Sequence, residues 1–228
     1  MSQDIEQVYL DALYPRLPTF EIRPADTALL VIDVQNFIAR PDTGQGQRLL
    51  DVGRADLNRD YFGRVAAAVR NIGTLLTAAR RVGIEVIYIA INAHTGDARD
   101  CSQVTRALGI RLPKNSSGNQ IVSEIAPEPD EVVLFKITSS AFNSTPLHVI
   151  LQNMGKRTLM LTGLITNGCV ESTARDARDL GYRVVLIGDA CATYSDETHH
   201  RTLRWLERTI GNVVTTDVAV GKLLANVP

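Results

Sequence analysis

Cys169 stands between the apolar run LTGLI (161–165) and a stretch in which Val170, Ala174 and Ala177 recur at helical spacing. A cysteine where a strand turns into a helix meets unpaired backbone N–H groups and the positive end of the helix dipole. Both lower a thiol's pKa and make it nucleophilic. The contrary reading is a small buried filler. Two other residues end apolar runs. Asp33 closes TALLVID (27–33) and Lys136 closes EVVLFK (131–136). Alone, each has an ordinary explanation, since aspartate forms turns and lysine is usually solvated. Together, an acid, an ammonium and a thiol make a nucleophilic site.

The chemistry expected of that trio is attack on a polarised carbonyl. Asp33 takes the thiol proton, and Lys136 keeps the aspartate ionised and favours the thiolate. The oxygen that becomes negative needs fixed donors. The backbone N–H of Cys169 and that of a residue just before it in the turn supply them. Asp33 returns its proton to the leaving amine, and water hydrolyses the thioester. Histidine is the commoner base, but His94, His148, His199 and His200 do not visibly favour that role. The last three fall inside expected helices.

These residues are positioned by alternating elements. Expected strands are 27–33, 84–92, 131–136, 157–163, 182–190 and 213–216. Helical periodicity marks 64–83, 145–155, 169–181 and 195–211, with a terminal helix after the last strand. Pro146, Ser195, Gly83 and Gly181 supply start and stop signals. The alternation implies an α/β fold, a single-domain, mostly parallel six-stranded sheet with helices on both faces. Sites on such sheets lie beyond the carboxyl ends of the strands, where all three residues stand. Residues 1–25, with Pro15, Pro18 and Pro24, read as an N-terminal arm. Its apolar members suit packing on the domain (26–228) or on a neighbouring subunit. Residues 93–130 are a long polar excursion with some helix.

Composition narrows the class. The chain has 228 residues, 45% hydrophobic and 21% charged, with a net charge of -1. That is ordinary globular composition, and without a basic stripe nucleic acid is not an expected partner. Cys101, Cys169 and Cys191 are an odd number and widely spaced, which suggests neither a disulfide framework nor a zinc knuckle. No segment approaches the roughly 18 apolar residues of a membrane span. MSQDIEQVYLDALYP lacks the basic start and apolar core of a signal peptide. The expected setting is cytoplasmic.

Three blocks carry a resemblance: ALLVIDVQN around Asp33, LFKITSSAFNSTPL around Lys136, and TGLITNGCVESTARDARDLGYRVVLIGDACA around Cys169. In this order, over most of 26–217, they resemble the isochorismatase-like cysteine hydrolase superfamily. The resemblance implies an Asp-Lys-Cys triad, here Asp33, Lys136 and Cys169. It implies a non-proline cis peptide at Leu164–Ile165, which aims the Ile165 N–H at the same oxyanion as the Cys169 N–H. It also implies homodimers or homotetramers. Nicotinamidase-type members carry a metal site with histidines beyond the first motif. No histidine follows VIDVQNFIARPD until His94, so no metal and no cofactor is expected. Isochorismatases that cleave a vinyl ether lack the cysteine. The segment SSAFNSTPL resembles ureido and carbamoyl amidases, of the ureidoacrylate, biuret, triuret and N-carbamoylsarcosine type. Gly168, where other members often carry valine or histidine, either widens the pocket or frees the turn.

The expected substrate is thus a small amide, ureide or carbamoyl compound. A pocket for it needs aromatic walls and a few fixed polar groups. Gln35, Phe37, Asn92, Phe142, Asn143 and Asn167 are the candidates. Each has a plain alternative. Phe37 and Phe142 serve equally well as core aromatics, Asn92 as a strand end, and Gln35 and Asn167 as loop braces. Rival functions are a nicotinamidase-type amidase and a catalytically silent binding or scaffold member of the same fold. A dinucleotide-binding enzyme is disfavoured, because no G-x-G-x-x-G follows the first strand.

Overall fold

The computed structural model describes residues 5–110 and 112–225. Six strands form one open sheet: β1 (Thr27–Ile32), β2 (Glu85–Ile91), β3 (Val132–Lys136), β4 (Thr158–Leu164), β5 (Arg183–Ala192) and β6 (Asn212–Val214). Every neighbouring pair is parallel, in the order β3-β2-β1-β4-β5-β6. The helices are α1 (Ile5–Leu13), α2 (Asn36–Ala39), α3 (Gly44–Asp51), α4 (Ala55–Arg81), α5 (Gln103–Ala107), α6 (Leu147–Asn153), α7 (Glu171–Asp179), α8 (Asp196–Thr209) and α9 (Thr216–Leu224).

The strands are apolar at positions of both parities because both sheet faces are covered. Ala28, Leu30 and Ile32 of β1 pack with Leu147 and Leu151 of α6, Ala174 and Ala177 of α7, and Leu206 of α8. Leu29 and Val31 pack with Val65, Ile72 and Leu75 of α4 and Ala219 and Leu223 of α9. A fully buried side chain of this kind contributes about 1.5–3 kcal/mol of transfer free energy. That reward on both faces outweighs any tendency toward polar alternation.

The helix read from the sequence over 64–83 begins earlier, at Ala55. Its added turns look polar in sequence yet bury Asn58, Tyr61 and Phe62. Asn58 donates through Nδ2 to the carbonyls of Pro41 and Gly46 at 2.9 Å each, so its burial leaves no donor unpaired. Within 93–130 the helical content is α5 and short 3-10 turns.

The arm returns to its own domain. Arg208 on α8 donates to Asp11 Oδ1 at 2.8 Å, to the Leu10 carbonyl at 3.0 Å and to the Tyr14 carbonyl at 3.0 Å. Leu10 is buried, while Ile5, Val8, Tyr9 and Leu13 on the same helix remain exposed. Among the described residues, no helix is long and apolar enough to cross a membrane.

β4 approaches β1 very closely at the rim. Gly163 adopts φ +115°, and a Cβ there would overlap the Ile32 backbone. The β4–β5 register shifts at this point, between Leu161 and Gly163. β4 thereby delivers the turn after Leu164 directly beside the end of β1.

Candidate active site

Asp33 follows β1 with φ +54°, in the left-handed region that aspartate tolerates better than most residues. Its N–H donates to the Ile89 carbonyl of β2 at 2.8 Å, which fixes the backbone while the side chain turns inward. Lys136 is the last residue of β3, two strands away, and its side chain is wholly buried. Cys169 lies in a π-helical turn, Thr166–Val170, that joins β4 to α7.

The three side chains converge. Lys136 Nζ lies 2.8 Å from Asp33 Oδ2, 3.2 Å from Cys169 Sγ and 3.0 Å from the Thr138 carbonyl. An ammonium has three protons, and three acceptors surround this one. The Asp33 carboxylate also faces the Cys169 sulfur and the Ile91 backbone.

Burial sets the protonation states. Burial pushes the Asp33 carboxyl up, against the pull of the Lys136 charge. Burial pulls Lys136 down, but the charges of Asp33 and Cys169 prevail and its net shift is upward. Burial, then the charge of Asp33, push the Cys169 thiol up to about 12, with Lys136 opposing. The net direction is opposite to the lowering expected from a position at a helix terminus. Cys169 sits two residues before α7 begins, and desolvation dominates there. The resting group is a thiol facing a carboxyl that binds protons more readily than usual.

The Leu164–Ile165 peptide is cis. The Ile165 carbonyl accepts from Gly168 N–H at 2.9 Å, which closes the turn over Cys169. A Cβ on residue 168 would come within 2.9 Å of Ile165 Cγ1. The glycine therefore lets the turn pack on the Ile165 side chain.

The six tentative substrate contacts separate. Gln35 is buried and fully engaged. Its Nε2 donates to the carbonyls of Ile91 (2.8 Å) and Asn119 (2.7 Å), and its Oε1 accepts from Ile91 N–H at 2.8 Å. It braces the ends of β1 and β2 against the excursion. Phe142 is half-buried, stacks on Tyr182 at 5.8 Å and packs against the core cluster that includes α6 and α7. Phe37 packs between Gly44 and Gly118. Asn92 Oδ1 accepts from Asn119 Nδ2 at 2.5 Å. Asn167 is exposed, and its Oδ1 accepts from Thr193 Oγ1 at 2.6 Å. Asn143 is exposed beside the turn after β3.

Sequence reasoning missed the aromatic pair nearest the rim. Tyr194 follows Thr193 and lies 5.1 Å from the ring of Tyr61. Its hydroxyl donates to Gln45 Oε1 at 2.9 Å. Burial pushes the Tyr194 phenol up, Gln45 opposes, and the nearby Cys169 adds to the rise. Tyr61, Tyr194, Gln45, Leu49 and Leu108 line an open cavity of about 610 Å³. Tyr194 follows the expected fifth strand without helical or strand periodicity, so the sequence held no cue to it. Cys101 and Cys191 are buried and free; Cys191 faces the core, 4.0 Å from the Leu161 carbonyl. Among the described residues, no group of three or more His, Cys, Asp or Glu side chains is placed to hold a metal ion.

Residues 27–218 match the model of the Isochorismatase domain. The chain belongs to the isochorismatase-like family of cysteine hydrolases, and it is a hydrolase. It is similar to a cysteine hydrolase from Pseudomonas syringae pv. phaseolicola, with 26% identity over 93% of this chain and 99% of that one and a TM-score of 0.80. It is similar to an isochorismatase-like hydrolase from Alkaliphilus metalliredigens, with 25% identity, coverage of 86% and 98%, and a TM-score of 0.68. It is also similar to N-carbamoylsarcosine amidase from Thermoplasma acidophilum, with 25% identity, coverage of 84% and 97%, and a TM-score of 0.68.

Proposed function

We propose that the protein is a metal-independent cysteine amidohydrolase that cleaves a C–N bond of a small amide, ureide or carbamoyl compound through a thioester. The observation that carries this reading is Lys136, which contacts both the Asp33 carboxylate and the Cys169 sulfur. The likeness to an N-carbamoylsarcosine amidase supports the substrate class.

In this mechanism the Cys169 thiol gives its proton to Asp33 as the sulfur attacks the carbonyl carbon. Lys136 holds both groups in place and offsets the negative charge that passes between them. The backbone N–H groups of Ile165 and Cys169 receive the oxyanion. As the C–N bond breaks, Asp33 returns the proton to the departing nitrogen, and an amine or ammonia leaves. Asp33 next takes a proton from water, whose oxygen attacks the thioester. The sulfur leaves, recovers that proton, and the acid product departs. A carboxyl with a raised pKa suits this repeated proton exchange.

The proposal includes a cytoplasmic homodimer or homotetramer. The exposed apolar side chains of α1 support an interface that includes the arm. Ammonia release from a panel of amides and ureides tests the reaction. The wild type is expected to turn over at least one panel member, with or without chelator, and Cys169→Ala none. Activity lost to chelator and restored by added metal would move the protein to the nicotinamidase type.

A further inference from the structure

Thr166 is fully buried and opens the turn that carries the nucleophile. It follows Ile165, one of the proposed oxyanion donors, and precedes Cys169 by three residues. Its hydroxyl lies 2.9 Å from Nδ1 of His199, on α8. The imidazole also faces the backbone of Gly188, in the bulged part of β5, a contact that favours a proton on the ring. One half-buried ring thus ties the turn between β4 and α7 to the neighbouring strand.

The proton positions follow from chemistry. A backbone carbonyl only accepts, so the nitrogen that faces Gly188 carries hydrogen. In a neutral imidazole the other nitrogen, Nδ1, is then an acceptor, and the Thr166 hydroxyl donates to it. Burial pulls the His199 pKa down, which favours this neutral form; His200 and Arg64 add to the fall and Asp196 opposes it. Arg64 belongs to α4 and the other two to α8. The turn itself carries Cys169, and β5 carries Asp189, whose Oδ1 accepts from Thr216, while β6 has no titratable side chain.

We propose that His199 is a positioning residue, which through Thr166 fixes the turn presenting Cys169 and the Ile165 N–H to the substrate. The proposal rests on Cys169 being the nucleophile. A second proton on His199 reverses the bond. Nδ1–H would then point at Thr166 Oγ1, and the buried hydroxyl proton would lose its acceptor. That unpaired proton favours a displaced turn, and a misplacement near 1 Å costs roughly 10²-fold in rate.

The experiment compares wild type, His199→Ala, His199→Asn, Thr166→Val and Thr166→Ser. It reads kcat and KM on an amide the wild type turns over, iodoacetamide alkylation of Cys169 against pH, and thermal melting. H199A and T166V are expected to lower kcat roughly 10²-fold with KM little changed, and to slow alkylation. The double variant is expected to be no worse than either. H199N, whose amide oxygen can accept from Thr166, and T166S are expected to recover most of the loss. Both profiles fall with the ionisation of Cys169, and the wild type is expected to show a further acid inflection, from His199, that H199N lacks. Wild-type kcat and alkylation in folded H199A and T166V, even with lowered melting temperature, would overturn the proposal. Cys169→Ala is assayed beside them. Its loss of activity keeps the nucleophile assignment standing if His199 fails, and its retention of activity would sink that assignment instead.

Discussion

Lys136 Nζ and Asp33 Oδ2 meet at 2.8 Å with neither side chain open to water. A buried ion pair is a weak source of net stability, but removing one partner strands the other in a low-dielectric site. Lys136→Ala is therefore expected to destabilise the fold by about 3–5 kcal/mol, read as a fall in denaturation midpoint. Asp33→Asn combined with Lys136→Met removes both charges and should recover much of that loss. A single variant as stable as wild type would show that the pair is not buried as described.

The two roles of Asp33 can be separated. Its charge raises the Cys169 thiol pKa, so Asp33→Asn is expected to move thiolate formation to lower pH, measured by ultraviolet absorbance. Turnover is expected to fall by roughly 10²–10⁴-fold, since nothing returns a proton to the departing nitrogen. Easier ionisation with lost catalysis is the signature of an acid–base aspartate. A thiol pKa that rises in this variant contradicts the assigned electrostatics.

The acid limb of the pH profile follows the same group. Turnover needs Asp33 ionised, and burial places its pKa above the usual carboxylate value. Activity is therefore expected to fall away as pH drops through a midpoint above about 3.9. A midpoint at or below that value would indicate a solvated carboxylate.

Gly163 makes the close passage of β4 over Ile32 possible. Gly163→Ala combines φ +115° with a Cβ driven into backbone, so the strand has to move. A loss of about 1–3 kcal/mol is expected, together with slower alkylation of Cys169, because the turn that carries it begins three residues later. Unchanged melting and alkylation would show that the rim tolerates the displacement.

Arg208 fastens the arm through three acceptors on residues 10–14. Arg208→Ala is expected to expose 5–14 to limited proteolysis at an enzyme ratio that leaves the wild type intact. Equal resistance would mean that the apolar face of α1 holds the arm unaided.

All six strands were legible because each is a short apolar run bounded by turn residues. Their shared direction followed from the helices between them. The meeting of Asp33, Lys136 and Cys169 was legible because all three end or follow apolar runs, and one parallel sheet brings such ends to one rim. The extra turns of α4 were not, since Asn58 reads as polar until its partners Pro41 and Gly46 are known. The state of the thiol was not legible either. Chain position suggested a helix terminus, whereas the burial that governs Cys169 depends on three separate strands. Loop geometry was not legible. Gln35 bonds to Ile91 and Asn119, and Tyr61 meets Tyr194, across segments far apart in the chain.

The central claim is a covalent bond between Cys169 and the acyl part of the substrate. Acid quenching during turnover, followed by mass spectrometry of the peptides, reads it directly. The predicted result is the acyl mass on the Cys169 peptide and on no other, absent from Cys169→Ala. A steady-state turnover that continues in Cys169→Ala, or an acyl mass on another residue, would contradict it.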